Sequence, residues 1–275
     1  MKNIFKSLFI SVFPVVALVI FTKTLIKSIF TTNTVSLLIS SFAVVVFFSL
    51  LFLKPVARTT KTLLPYSSLL LIGLILSLFD FNKNTFIIQL LIISGWITYL
   101  TWYSSFKDRN TSVLKVGKIL PIFMLEKSDK ETIKSNSFTG NFKIFLFYRG
   151  NWCPLCMAQI KEIANQYKIL SEKNIDVILV SSQPHKYTEN LAKKHKVPFH
   201  FLVDTKNKAA KKLGILHTNG LPAGFQVFGY DSDVVLPTVI ITDKNNKIIF
   251  ADLTDNYRVR PEPETFIKII EQFQH

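Results

Sequence analysis

Cys153 and Cys156 are the only cysteines of the 275-residue chain, and they stand three apart in the run IFLFYRGNWCPLCMAQI, where an apolar strand-like stretch gives way to a helix-like one. A cysteine in the first turn of a helix meets unpaired N–H groups and the positive end of the helix dipole, which favour thiolate over thiol. The pair is expected to react as a thiol–disulfide couple. Three other chemistries compete with this one. A structural zinc site needs two further ligands, yet the chain has no other Cys, and His185, His195, His200, His217 and His275 show no paired ligand spacing. Haem attachment requires a His where Met157 stands. An inert pair of core cysteines is opposed by Arg149, Asn151 and Pro154, which suggest a partly exposed turn. No metal and no bound cofactor are expected.

The elements that carry this pair lie in the second of two compositionally distinct parts, 1–110 and 111–275. The first part is almost wholly apolar, with sparse and mostly basic charges. Its apolar stretches, residues 4–22, 35–53, 63–79 and 86–103, each approach the roughly 20 residues a helix needs to cross a hydrocarbon core. An α-helical transmembrane region of about four helices is expected, the third being short with Pro65 near its start. Lys2 and Lys6 precede the first stretch, Pro14 lies within it and no small-residue cleavage site follows, so it is expected to stay rather than be removed as a signal peptide. With four spans, one side of the membrane carries Lys2, Lys6, Lys54, Arg58, Lys61, Lys107, Arg109, Lys115 and Lys118, and the other Lys23, Lys27 and Lys83. The positive-inside rule then gives a multi-pass protein of the cell (inner) membrane, with both termini and the C-terminal domain in the cytoplasm.

A net charge of +15 raises the question of nucleic acid. About half of that charge flanks the apolar stretches, where topology explains it, and the rest is spread over solvated helix faces. Membrane lipid, and no nucleic acid, is the expected partner.

After a basic linker the second part alternates strand-like segments (143–148, 176–181, 199–203, 238–242, 247–251) with helix-like ones (154–170, 186–195, 206–213, 264–273). Successive strands joined through helices imply parallel pairing, and the Asp243–Asn246 turn closes a hairpin, so the expected fold is an α/β thioredoxin-like domain with a mixed sheet. The cysteine pair falls at the carboxyl end of the first of these strands, where active sites of such sheets gather.

From about Val113 onward the chain resembles the AhpC/TSA peroxiredoxin superfamily, and within it the peroxiredoxin-like group with a thioredoxin-type CxxC. The likeness rests on VGKILPIFML, FYRGNWCPLC and DNYRVRPEPE. It implies two different assignments. Against the peroxiredoxin pattern Pro-x-x-x-Thr-x-x-Cys, Arg149 replaces the Pro, Cys153 the Thr, and Cys156 is the peroxidatic position. Against the thioredoxin pattern, Cys153 is the attacking cysteine and Cys156 the resolving one. The resemblance also implies a substrate-side role for Trp152 as a lid, and for Pro237 as a cis proline facing the pair. Arg149 is either a thiolate-stabilising cation or a solvated loop charge. The peroxiredoxin Arg near Pro237 has no evident counterpart.

Three functions follow as alternatives: a membrane-anchored thiol–disulfide oxidoreductase, a thiol peroxidase for hydrogen peroxide or alkyl hydroperoxides, and a redox sensor or binding module. The enzymatic readings imply a protein disulfide or a peroxide as substrate, and a thiol electron donor such as a thioredoxin-type protein.

Overall fold

The computed structural model describes residues 2–27, 30–106, 109 and 112–273. Lys107, Asp108 and His275 lie outside the described residues, as does the composition boundary at 110 and 111.

The apolar first part folds into four helices: α1 (Lys2–Ile26), α2 (Thr32–Leu53), α3 (Leu64–Phe79) and α4 (Lys83–Thr98), the last continuing through a π-turn at Tyr99–Tyr103. Among the described residues, three helical stretches are long and apolar enough to cross a membrane: Lys2–Ile26, Thr32–Leu53 and Lys83–Tyr103. Helix α3, with Pro65 in its first turn, has 16 residues, about 24 Å at 1.5 Å per residue. It packs closely on α2 at Gly73, where a Cβ would collide with Ser40 Oγ and approach the Ser36 carbonyl oxygen to 2.8 Å. Small residues at such crossings let apolar helices approach closely. Thr31 and Thr34 form a capping box that starts α2, and Asn82 Oδ1 accepts from the N–H groups of Asn84 and Thr85 to start α4.

The second part contains β1 (Met124–Glu126), β2 (Thr132–Lys134), β3 (Phe142–Phe147), α5 (Pro154–Asn165), α6 (Tyr167–Glu172), β4 (Ile175–Ser181), α7 (His185–His195) and β5 (His200–Val203). It continues with α8 (Lys208–Lys212), β6 (Leu216–His217), β7 (Val234–Val235), β8 (Thr238–Asp243), β9 (Ile248–Asp252) and α9 (Pro263–Gln272). Seven strands form one sheet in the order β2-β1-β5-β4-β3-β8-β9, with β3, β4 and β5 parallel and β8 and β9 antiparallel to their neighbours. This is the mixed sheet of a thioredoxin-like domain, and all six residues of β3 are buried at its centre. The expected helix over 154–170 is two helices, because Gln166 leaves helical geometry between α5 and α6.

Packing does not stop where composition changes. One hydrophobic cluster runs from Phe13 to Ile270, and four joints tie the bundle to the domain. Down one face of α1, Asn3 Nδ2 donates to the Thr218 carbonyl, Ser7 Oγ to that of Leu221 and Ser11 Oγ to that of Ala223. Spacing of four puts these residues on a single stripe. The loop after α2 is held by Arg258, fully buried, whose guanidinium donates to the Thr60 carbonyl (2.8 Å), the Lys61 carbonyl (2.9 Å) and Thr59 Oγ1 (3.0 Å). Arg58 pairs with Glu162 of α5. At the π-turn, Tyr99 and Tyr257 share a hydroxyl hydrogen bond of 2.7 Å.

Candidate active site

Strand β3 ends in a turn that Gly150 makes possible. Its φ of +143° is one that L side chains rarely adopt, and a Cβ there would approach Trp152 Nε1 to 2.7 Å. Cys153 follows as the N-cap of α5, Pro154 occupies the first turn, and Cys156 lies within that turn. The two thiols are free, with their sulfurs 2.8 Å apart.

The turn is partly exposed at Asn151, Trp152 and Pro154, but the reactive groups themselves are covered. Cys153, Cys156 and Arg149 retain 2%, 0% and 4% of their surface, because α1, α2 and residues 222–225 stand over the strand end. Arg149 is therefore no solvated charge. Its Nη2 donates to the Gly220 carbonyl, and its guanidinium lies 4.7 Å from the centre of the Trp152 ring. Trp152 does sit beside the pair, stacked against Arg149 and facing Phe225.

Pro237 corrects a further expectation. Every peptide bond among the described residues is trans, that of Pro237 included. Extended backbone holds it there: the Leu236 N–H donates to the Ile215 carbonyl at 2.8 Å, Thr238 Oγ1 to the Leu236 carbonyl at 2.8 Å, and Arg109 to the Pro237 carbonyl at 3.2 Å. Pro237 lines a small cleft with Gln159 and Arg260 rather than the cavity that reaches Cys153.

Arg260 is the residue that local sequence did not reveal. Its Nη1 and Nη2 lie 3.5 and 3.6 Å from Cys156 Sγ. Nη1 also donates to Gln159 Oε1 at 2.9 Å, and Nε to the Tyr257 carbonyl at 2.9 Å, so the fork is fixed from two sides. The signal lay inside DNYRVRPEPE, but nothing in that run says that it returns to the helix carrying the cysteines.

These contacts set the charge of the pair. Burial alone opposes ionisation of Cys156, but the Cys153 thiol, the Arg260 guanidinium and the Arg149 backbone N–H outweigh it and hold the Cys156 pKa at about 5. Cys153 moves the other way, pushed well above the ordinary thiol value by burial and by the neighbouring Cys156 thiolate. In the reduced pair the charge sits on Cys156 and the shared proton on Cys153. A buried cysteine carrying a guanidinium-paired thiolate is not inert. Among the described residues, no group of three or more His, Cys, Asp or Glu side chains is placed to hold a metal ion.

Cys153, not Cys156, borders a cavity of about 400 Å³ between bundle and domain. Ile10 and Pro14 of α1 and Phe48 and Phe52 of α2 line one side of it, and Arg149 and Phe225 the other.

A thioredoxin-like sheet presenting a close, charge-polarised dithiol at a strand-to-helix turn defines the class of thiol-dependent oxidoreductases. Residues 116–251 match the AhpC/TSA family. Over 120 residues the chain is 29% identical to the chloroplastic peroxiredoxin Q of Populus jackii, covering 43% of this chain and 56% of that protein, so it spans little more than half the relative's length. Over 164 residues it is 23% identical to the thiol-disulfide oxidoreductase ResA of Bacillus cereus, covering 59% and 83% of the two chains. The crystal structure of Enterococcus faecalis AhpC superposes with a TM-score of 0.47 at 17% identity, over 58% of this chain and 92% of that one.

Proposed function

We propose that the chain is a membrane-anchored thiol–disulfide oxidoreductase, with residues 1–110 as a multi-pass membrane region and 111–275 as the redox domain. Cys153 exchanges with the substrate and Cys156 resolves. The observation that carries this reading is that Cys153 borders the cavity while the Arg260-held Cys156 lies fully buried 2.8 Å behind it. As Cys153 passes its proton to Cys156, its sulfur attacks a substrate disulfide and one substrate thiolate leaves. That thiolate takes the proton from Cys156, whose sulfur then attacks Cys153 and releases the second thiolate. The products are the Cys153–Cys156 disulfide, one substrate thiol and one substrate thiolate, which takes a proton from water, and a thioredoxin-type thiol donor resets the pair.

Trapping tests the order of events. Cys156→Ser should accumulate a mixed disulfide at Cys153, and Cys153→Ser should not. Continuous turnover with excess thiol and disulfide separates an enzyme from a sensor, which would titrate once and stop.

One observation favours a second reading. A low-pKa cysteine beside a guanidinium is suited to attack a peroxide, giving a Cys156 sulfenic acid that condenses with Cys153 and releases water. Sulfenic acid at Cys156 in Cys153→Ser, with Cys156→Ser inert to disulfides, would replace the first reading by this one.

The bundle presents the N-terminus of α1, the loop after α2 and the end of α4 to the domain, and we place that side in the cytoplasm on the basic bias of the flanks. Several of those cations also make structural bonds: Lys6 Nζ to the Ser105 carbonyl, Arg58 to Glu162 and Arg109 to the Thr254 carbonyl. The orientation therefore needs a direct test. An Asn245→Cys label in a variant otherwise free of cysteine should be protected from an impermeant reagent in intact cells, and rapid labelling would invert the topology.

A further inference from the structure

The cavity at Cys153 has a chemical character that disulfide exchange with a soluble protein does not explain. Its volume of about 400 Å³ is in the ordinary range for small-molecule sites, about 300–1,000 Å³. One wall is made by side chains of α1 and α2, the helices that TM length and apolarity assign to a bilayer. Its edge is greasy. Phe52 is 62% exposed, and Val15 and Leu53, with Val227 and Phe228 on the 3-10 turn Phe225–Phe228, are exposed as well. A polar protein segment gains little from such an entrance, whereas a molecule dissolved in the membrane meets a continuous apolar surface.

The inner end is different. Arg149 Nε and Trp152 Nε1 are buried without any hydrogen-bond partner, and both residues line the cavity beside Cys153. Unpaired buried donors are costly, commonly about 1–3 kcal/mol each, and their presence next to a reactive sulfur is accounted for by a ligand that brings acceptor oxygens. Arg149 is fixed for this role by the Gly220 carbonyl and by the Trp152 ring.

We infer that this cavity binds a lipophilic quinone, with its ring against Cys153, a carbonyl oxygen toward Arg149 and Trp152, and its apolar tail leaving between α1 and α2. The inference rests on the dithiol reading above and names the electron acceptor of that same site. The reaction balances with one proton from water. The Cys153 sulfur adds to the quinone, and Cys156 attacks Cys153 and breaks the carbon–sulfur bond. The S–S bond forms while two electrons pass to the quinone, which takes the single proton of the pair and one from water and leaves as hydroquinone. A lipid hydroperoxide fits the cavity less well as an acceptor, because its oxygen would have to reach Cys156, which does not border the cavity.

The test uses the full chain in lipid nanodiscs, with the pair reduced and free reductant removed, and decylubiquinone as the probe. Quinone absorbance and intact protein mass are followed together. The expected result is one hydroquinone formed per disulfide, with the tail-less ring slower by about tenfold or more, since the tail's apolar burial is lost. Ala223→Trp and Ile10→Trp, which fill the cavity from opposite walls, should each slow the reaction by a similar factor. Glutathione disulfide serves as the parallel oxidant. A pair oxidised by glutathione disulfide but not by the quinone overturns the quinone inference and keeps the dithiol reading. A pair oxidised by neither overturns both. Equal rates for tailed and tail-less quinone, or for the wild type and both filled variants, also overturn the inference, because the cavity would then not be where the quinone reacts.

Discussion

Arg260 reaches Cys156 with both terminal nitrogens, at 3.5 and 3.6 Å from Sγ, across 104 residues of sequence. Together with the Cys153 thiol and the Arg149 backbone N–H, this contact polarises the pair. Without it, a smaller fraction of Cys156 would be thiolate at neutral pH, and the sulfur behind Cys153 would be a weaker resolving group.

Replacing Arg260 by Met should therefore raise the Cys156 pKa from about 5 by about one to two units, the equivalent of a charge-assisted hydrogen bond of about 1.5–3 kcal/mol. Arg260→Lys should restore part of the shift. Thiolate absorbance near 240 nm against pH reads it directly, and an unmoved titration would remove Arg260 from this role.

The same charge makes the reduced protein's stability depend on pH. Cys156 is depressed in the folded chain, so its contribution is complete above the ordinary thiol value of 9.0 and is lost as pH falls through about 5. Cys153 is raised, so its contribution is complete below 9.0 and declines at higher pH. The stability of reduced minus oxidised protein should pass through a maximum near pH 9 and fall toward acid by up to about 1.4 kcal/mol per pH unit. Paired urea titrations from pH 5 to 10 check this, and a flat difference would contradict the charge assignment.

How much of this was legible follows from the distance over which each feature acts. The cysteine turn, the five strands and the bundle helices are written in local periodicity, and β3, β4, β5, β8 and β9 start within one residue of the sequence expectation. The short strands β1, β2, β6 and β7 have two or three residues each, too few to show a period. Burial of Arg149 and Cys153 is not legible locally because much of the cover comes from α1, some 140 residues earlier in the chain. Pro237 shows a borrowed feature failing locally, since its neighbours hold extended trans backbone.

Arg258 should be the most sensitive joint between bundle and domain. Arg258→Ala leaves the Thr60 and Lys61 carbonyls and Ser104 Oγ without their donor. The expected cost is about 3 kcal/mol or more, with faster proteolysis in the segment 54–62. Lysine cannot reproduce the fork, so Arg258→Lys should recover little.

Prying α1 from the domain should uncover the cysteines. Ser7→Leu with Ser11→Leu removes two of the stripe's donors and inserts bulk against residues 221–223. Alkylation of Cys153 by a neutral maleimide should accelerate by about tenfold or more, as a local opening made easier by about 1.4 kcal/mol would give. An unchanged rate would mean that α1 does not control access.

Gly73→Val should disrupt the bundle without touching the redox pair. Its side chain has no space between Ser40 and the Ser36 carbonyl, so a loss of about 2 kcal/mol is expected, read by thermal unfolding in detergent.

The stripe of Asn3, Ser7 and Ser11 also sets a depth. A helix that spends its first three turns along the domain keeps residues 12–26 for lipid, about 22 Å at 1.5 Å per residue, against a hydrocarbon thickness of about 30 Å. For α1 to cross, the domain has to sink into the headgroup layer until the sulfurs lie near the level where acyl chains begin. On the membrane-anchored reading proposed above, the redox pair would be held at a fixed height along the membrane normal, and reactants would be sorted by how deep they travel before they are sorted by shape.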